Sequence, residues 1–162
     1  MTEWREGDIV LVRATGWLAR FVRFSHAALL WKRNESWYTM EATPRRGVAG
    51  DYPGNWQRPY IIVRPRDTHE IEGALAADIA LERQGEQYGL RDWWPLLWRK
   101  IRELLGLGQA RRILRIQDVI CSELVSDAWF WVGVDLTPGI DIPLPDDLAD
   151  ADVELIGEYE GG

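Results

Sequence analysis

Ile120-Cys121-Ser122-Glu123-Leu124-Val125-Ser126-Asp127-Ala128-Trp129-Phe130-Trp131-Val132-Gly133 holds the single cysteine of the chain at the head of an apolar stripe. Cys121, Leu124, Val125, Ala128, Trp129 and Val132 fall at i, i+3, i+4, i+7, i+8 and i+11, the spacing of one helical face, and Gly133 supplies a stop. The stripe predicts a helix packed inward with Cys121 on its buried side. With Asp118 as N-cap, Cys121 becomes the third helical residue, where unpaired N–H groups and the positive end of the dipole favour a thiolate. Ordinary packing also puts lone cysteines on buried stripes. The helix alone therefore leaves packing and catalysis open.

A thiol nucleophile needs a base, and only His26 and His69 can supply an imidazole. His26 opens the strand-like run Ser25 to Trp31, where an ordinary hairpin would place a β-branched residue. A second run, Trp37 to Ala42, follows the polar segment Lys32-Arg33-Asn34-Glu35-Ser36, and the two predict a hairpin. A turn centred on Arg33-Asn34 pairs residues whose numbers sum to 67, so that His26 faces Glu41. Opposed residues share a sheet face, which would let the acid orient the imidazole. A register one residue different would send Glu41 to the other face. His69 falls on an exposed first helical turn and is not read as catalytic.

Around this pair, Gly7 to Arg13 reads as a buried strand, Thr15 to Phe24 as a short helix and Tyr60 to Arg64 as a further strand. Thr43 to Pro59 is punctuated by Pro and Gly and reads as a long loop with one brief strand near Val48. Asp67-Thr68-His69-Glu70 resembles a capping box, with Asp67 capping and Glu70 reaching back. The helix it opens should run to Gly85, with Ile71, Ala74, Leu75, Ile79 and Glu82 on or beside one face. Trp94, Leu97, Trp98, Ile101, Leu104 and Leu105 recur at helical spacing with Arg99, Lys100, Arg102 and Glu103 opposite. The acidic tail reads as irregular, closing on a strand at Val153 to Ile156.

The 162 residues, 46% hydrophobic and 28% charged, suit one domain over residues 1–162 with a buried core. A net charge of −7 argues against a nucleic-acid partner, which requires an excess of Lys and Arg. One cysteine excludes an intrachain disulfide, and one cysteine with two histidines assembles no dense zinc set, so no metal and no cofactor is expected. The opening residues lack a basic stretch followed by an apolar one, and no run is long enough to span a bilayer; a cytoplasmic protein is expected. The ten tryptophans are read mostly as core or groove residues.

Taken in order, Gly7-Asp8-Ile9-Val10-Leu11, Ser25-His26-Ala27-Ala28-Leu29, Met40-Glu41-Ala42 with Gly47-Val48, Gln87-Tyr88-Gly89 and Ile120-Cys121-Ser122-Glu123-Leu124-Val125 resemble the permuted branch of the NlpC/P60 superfamily. That branch includes the YaeF/YiiX-like hydrolases and, more distantly, the lecithin:retinol acyltransferase-like enzymes. The resemblance covers about Gly7 to Leu148 and lies mainly in order: histidine, then acid, then cysteine, the reverse of ordinary papain-like enzymes. It implies an α+β, circularly permuted papain-like fold, an antiparallel half-barrel sheet packed against a C-terminal nucleophile helix. It also implies Cys121 as nucleophile, His26 as base and Glu41 as orienting acid, with Asp8 and Tyr88 as recurring motif positions assigned to substrate binding.

Three functions follow as expectations. The first is a thiol-dependent amide hydrolase acting on peptide-like material such as peptidoglycan fragments. The second is acyl-lipid chemistry, motivated by the distant acyltransferases and by Trp93-Trp94-Pro95-Leu96-Leu97-Trp98 beside Arg99, Lys100 and Arg102, which could lie in a membrane interface. Packing of that helix on the core is the favoured reading. The third is a binding or assembly module without catalysis, for instance in a phage particle. Oligomeric state is left open.

Overall fold

The computed structural model describes residues 3–53, 57–88, 120–140 and 142–161. Its frame is a six-stranded antiparallel sheet: β1 (Ile9–Arg13), β2 (Phe24–Arg33), β3 (Ser36–Thr43), β4 (Gly47–Pro53), β5 (Tyr60–Pro65) and β6 (Val153–Tyr159). The strands lie in the order β4-β3-β2-β1-β5-β6. Three helices are described: α1 (Glu70–Glu82), α2 (Cys121–Trp131) and the single turn α3 (Pro145–Ala149). The segment read as a short helix after β1 is a 3-10 turn, Gly16–Arg20. The basic, tryptophan-rich helix expected over Trp94 to Leu105, and Asp118, lie outside the described residues.

Both faces of the sheet are covered, which is why β1, β2 and β5 are apolar at successive positions rather than alternately. One face carries Ile9, Leu11, Ala27, Leu29, Met40, Ile61 and Val63 and takes up α2 through Leu124, Val125 and Trp129. Each large side chain sealed there contributes roughly 1.5–3 kcal/mol. The other face carries Val10, Val12, Ala28, Leu30, Tyr60 and Ile62, roofed by Trp4, Trp37 and Tyr159. Trp129, Trp4 and Trp37 thus behave as expected, whereas Trp17 and Trp131 stand mostly exposed.

The hairpin differs from its expected register. Arg33 pairs with Ser36 and Leu29 with Met40, so the numbers sum to 69 and the turn is Asn34-Glu35. Both turn residues have positive φ, 49° and 64°, the geometry of a two-residue turn whose twist matches the flanking strands. The expected sum was two lower; a change of two preserves side-chain parity, and Glu41 keeps the face shared with His26.

Helix α1 begins at Glu70 with His69 as N-cap, and Glu72 rather than Glu70 reaches back, accepting the His69 N–H at 2.5 Å. Asp67 instead occupies a left-handed turn position, φ 55°. The buried side of α1 is Gly73, Ala76, Ala77 and Ala80, while Ile71 and Leu75 are exposed. Small size decided the face, because a Cβ at Gly73 would collide with the Glu6 carbonyl in the turn leading to β1. Gly47, φ 65°, likewise faces the Glu86 carbonyl too closely for a side chain. There Val48 donates to Glu86 O at 2.9 Å and Gly85 to Val48 O at 2.9 Å, which ties the chain after α1 to β4 and delivers Tyr88. The brief strand expected near Val48 is the full strand β4.

Candidate active site

Helix α2 starts at Cys121, not near Asp118. Ile120 is the N-cap, with extended backbone (φ −94°, ψ 161°), and its N–H is met by Glu123 Oε2 at 3.5 Å. Cys121 is therefore the first helical residue, still within the turn whose N–H groups lack intrahelical partners. Its side chain is 5% exposed. Beside the sulfur stand the backbone N–H groups of Ala27 and Ser122, the His26 imidazole and the Tyr88 hydroxyl.

His26 lies beyond the regular β2–β3 ladder, whose last pair toward it is Leu29 and Met40. On its other side it faces Val12, where the β1–β2 register shifts before Arg13. A second irregularity falls between Thr39 and Glu41 on the β3–β4 ladder. Bulges of this kind re-aim side chains out of strict alternation. The outcome is a relay: His26 Nε2 is bonded to Glu41 Oε2, and the same imidazole stands beside the Cys121 sulfur. With Nε2 taken by the carboxylate, Nδ1 is the nitrogen left to serve the sulfur. Thr39 Oγ1 donates to the other Glu41 oxygen at 3.2 Å and fixes the carboxyl plane.

The electrostatics follow from that proximity. Burial alone would lower the His26 pKa, but Cys121 and Glu41 more than offset it and push it up to about 10. Burial would raise the Cys121 thiol, yet His26 and the N–H groups of Ala27 and Ser122 hold it below its ordinary value. Each partner thus favours the charged form of the other, thiolate on Cys121 and imidazolium on His26. Tyr88 is pushed up by burial and by the sulfur's charge, so its hydroxyl stays a donor.

Of the five positions singled out in the sequence, the structure brings Cys121, His26, Glu41 and Tyr88 together and leaves Asp8 apart. Asp8 is 1% exposed and filled by Arg64 Nε at 2.7 Å, Arg64 Nη2 at 2.9 Å and the Arg5 N–H at 2.8 Å. It precedes β1 by one residue, whereas Val12 is the β1 residue facing His26, about 13 Å further along at ordinary strand rise. His69, exposed, caps α1.

Three buried residues at the site escaped sequence reading. Thr39 shares the strand parity of Glu41, a signal that period two could have supplied. Ser122 donates through Oγ to Pro143 O at 2.6 Å, and Asp146 accepts the N–H groups of Arg23 and Phe24. Nothing in the acidic tail distinguishes Asp146 from its neighbours before the fold is known.

Among the described residues no three His, Cys, Asp or Glu side chains are placed to hold a metal ion. The cluster's own donors are spent on one another, since His26 uses its imidazole for Glu41 and Cys121. Among the described residues, also, no helix is long and apolar enough to cross a membrane.

The chain is similar to the crystal structure of the metalloprotein YiiX (DUF1105) from Escherichia coli O157:H7, with a TM-score of 0.64 and 16% identity, covering 96% of this chain and 98% of that one. No family model and no curated protein sequence matches the chain. At that identity the likeness speaks for the fold alone, and the fold is YiiX-like.

Proposed function

We propose that the chain is a thiol-dependent hydrolase, one domain with a permuted papain-like arrangement, that cleaves an amide bond in peptide-like material through Cys121, His26 and Glu41. The observation that carries this reading is the single imidazole of His26, bonded to the Glu41 carboxylate and set beside the Cys121 sulfur at the first turn of a helix. A core histidine needs one partner for satisfaction; one held between a lowered-pKa thiol and an acid is arranged for proton transfer.

The Cys121 thiolate attacks the substrate carbonyl carbon, forming the S–C bond while the carbonyl electron pair moves to oxygen. The Cys121 backbone N–H at the start of α2 is the first donor to that oxyanion. Ile120 packs against Ile142 and Leu144 and offers no polar side chain there. Tyr88, with its hydroxyl already at the sulfur, is assigned to bind the substrate carbonyl as the second donor. Collapse breaks the C–N bond as the imidazolium gives its proton to the leaving amine. His26 then takes a proton from water, the hydroxide cleaves the thioester, and the acid departs with the thiolate restored. Glu41 holds the imidazole through both steps, and Thr39 holds Glu41.

The reading requires no metal and no cofactor, in a cytoplasmic or phage-associated setting. The test is active-site labelling of Cys121 with an electrophilic probe, followed by turnover assays on muropeptides and on acylated lipids. Muropeptide cleavage blocked by the probe supports the amide reading. Turnover of the lipids alone would replace it with acyl-lipid chemistry, and absence of probe labelling in the folded protein would leave a binding module.

A further inference from the structure

The nucleophile and its base sit on elements that the sheet holds poorly at the decisive point. His26 is beyond the last regular β2–β3 pair and next to a register shift with β1, while Cys121 is the first residue of its helix. Something other than ladder bonds must set the separation between them, and the short segment around α3 touches both.

At one end of that segment Pro143 O accepts the buried Ser122 hydroxyl at 2.6 Å, next in chain to Cys121. At the other end Asp146, 3% exposed, receives the Phe24 N–H on Oδ1 at 2.8 Å. The Arg23 N–H reaches Oδ1 at 3.0 Å and Oδ2 at 3.1 Å. Two residues then lead to His26. Arg23 closes over the turn, with Nη2 on Asp146 O at 3.3 Å and on Asp150 Oδ1 at 2.5 Å. The segment itself is stiffened by Leu144 N–H on Asp147 Oδ2 at 2.7 Å and seated by Ile142 and Leu144 against Ile120. A buried carboxylate is costly unless its lone pairs are filled, and here backbone N–H groups at the start of β2 fill them.

We infer that Asp146 is a positioning residue: through the Pro143–Asp146 bridge it clamps the start of β2 to the start of α2 and so sets the approach of His26 to Cys121. The closed ring runs from Cys121 to Ser122, across to Pro143, along the chain to Asp146, across to Phe24 and on to His26. This inference rests on the thiol-hydrolase reading, in which the contact between base and nucleophile matters.

The test is the pH dependence of Cys121 alkylation by iodoacetamide, a neutral probe, in Asp146→Asn, Ser122→Ala, His26→Ala and the distant control Arg64→Lys, each below its unfolding temperature. Among the described residues the titratable groups facing the sulfur are His26 and Tyr88, with Glu41 behind His26. In Asp146→Asn the apparent thiol pKa should rise by about one unit, a tenfold slower alkylation on the acid limb. Ser122→Ala should move it the same way and serves alone if Asp146→Asn does not fold. Arg64→Lys should lose thermal stability and leave the profile in place. A wild-type profile for both bridge variants, with melting lowered as in the control, would overturn the inference and leave Asp146 purely structural. A wild-type profile that already matches a model thiol and ignores His26→Ala would instead sink the hydrolase reading beneath it.

Discussion

Two ionic clusters, each almost sealed from solvent, stand near opposite ends of β1. At one, Asp8 is gripped by both arms of the Arg64 guanidinium and by the Arg5 N–H. Burial pushes the Asp8 carboxyl above its ordinary range, and Arg64 and Arg5 only partly offset that. At the other, Cys121, His26 and Glu41 form a chain whose middle member is bonded to the carboxylate and stands beside the sulfur. Burial does not separate the two. What differs is the partner: a guanidinium keeps its protons throughout the accessible pH range, so the first cluster can only hold position, whereas an imidazole between thiol and carboxylate can pass a proton on.

The largest expected effects break this comparison from its reactive side. Cys121→Ala should abolish both covalent labelling and turnover, and it removes little volume, so the folded state should survive as judged by circular dichroism. His26→Ala should lower turnover by about 100-fold to 10,000-fold, the range of a lost general base. A turnover in either variant close to wild type would place the chemistry elsewhere.

Next in size is the locked end. Arg64→Met leaves Asp8 buried with one N–H for company, and loss of one partner of a buried pair costs about 3–5 kcal/mol. Urea unfolding should show the midpoint falling, while the alkylation profile of the surviving folded protein keeps its wild-type shape. A moved profile would mean that the two clusters communicate along β1.

The pH response sharpens the contrast further. The Cys121 pKa is lowered in the fold, so its contribution to stability is present above the unfolded value and is lost as pH falls through the folded one. His26 is raised to about 10, so its contribution is complete below its unfolded value of about 6.5 and disappears as pH rises through about 10. The ion pair therefore occupies the window between the lowered thiol value and about 10. Turnover should rise on the acid side with the thiol and decline near pH 10 as the imidazolium loses its proton. An alkaline decline centred near 7 would show that Glu41 and the thiolate do not sustain the imidazolium.

Much of this was legible in the sequence, and the misplacements have physical causes. The stripe from Cys121 to Val132 identified α2 and its buried side because periodicity reports faces directly. The helix start was placed near Asp118 because polar caps dominate the expectation, whereas Ile120 caps here through its backbone and packing. Glu41 was found in spite of a misplaced turn, since shifting the sum from 67 to 69 leaves parity intact. The face of α1 was inverted because hydrophobicity pointed to Ile71 and Leu75, while close contact with the turn before β1 demanded Gly73. Asp8 was expected at the site from the resemblance and is as buried as any residue there, but no local pattern reveals that Arg64, a β5 residue, would fill it. Asp146 joins Arg23 and Phe24 across more than a hundred residues, a separation at which neither period nor motif operates.

The smallest effect belongs to Tyr88, which the chain brings to the sulfur by pairing Gly85 and Glu86 with Val48. Its hydroxyl stays protonated, because burial and the neighbouring thiolate both oppose its ionisation, so it can act only as a donor toward the sulfur or toward an oxyanion. Tyr88→Phe keeps the ring and removes that donor. The thiolate retains His26 and the N–H groups of Ala27 and Ser122, so its loss in the resting state is one hydrogen bond among several, worth about 0.5–1.5 kcal/mol. That corresponds to a 2–12-fold slowing of alkylation on the acid limb. If the hydroxyl also meets the developing oxyanion, turnover at saturating substrate should fall by more than alkylation does, because a donor aimed at the transition state is worth more there than in the ground state. Equal losses in the two measurements would confine Tyr88 to the resting thiolate. A turnover loss as deep as that of His26→Ala would instead indicate that the ring holds the site together.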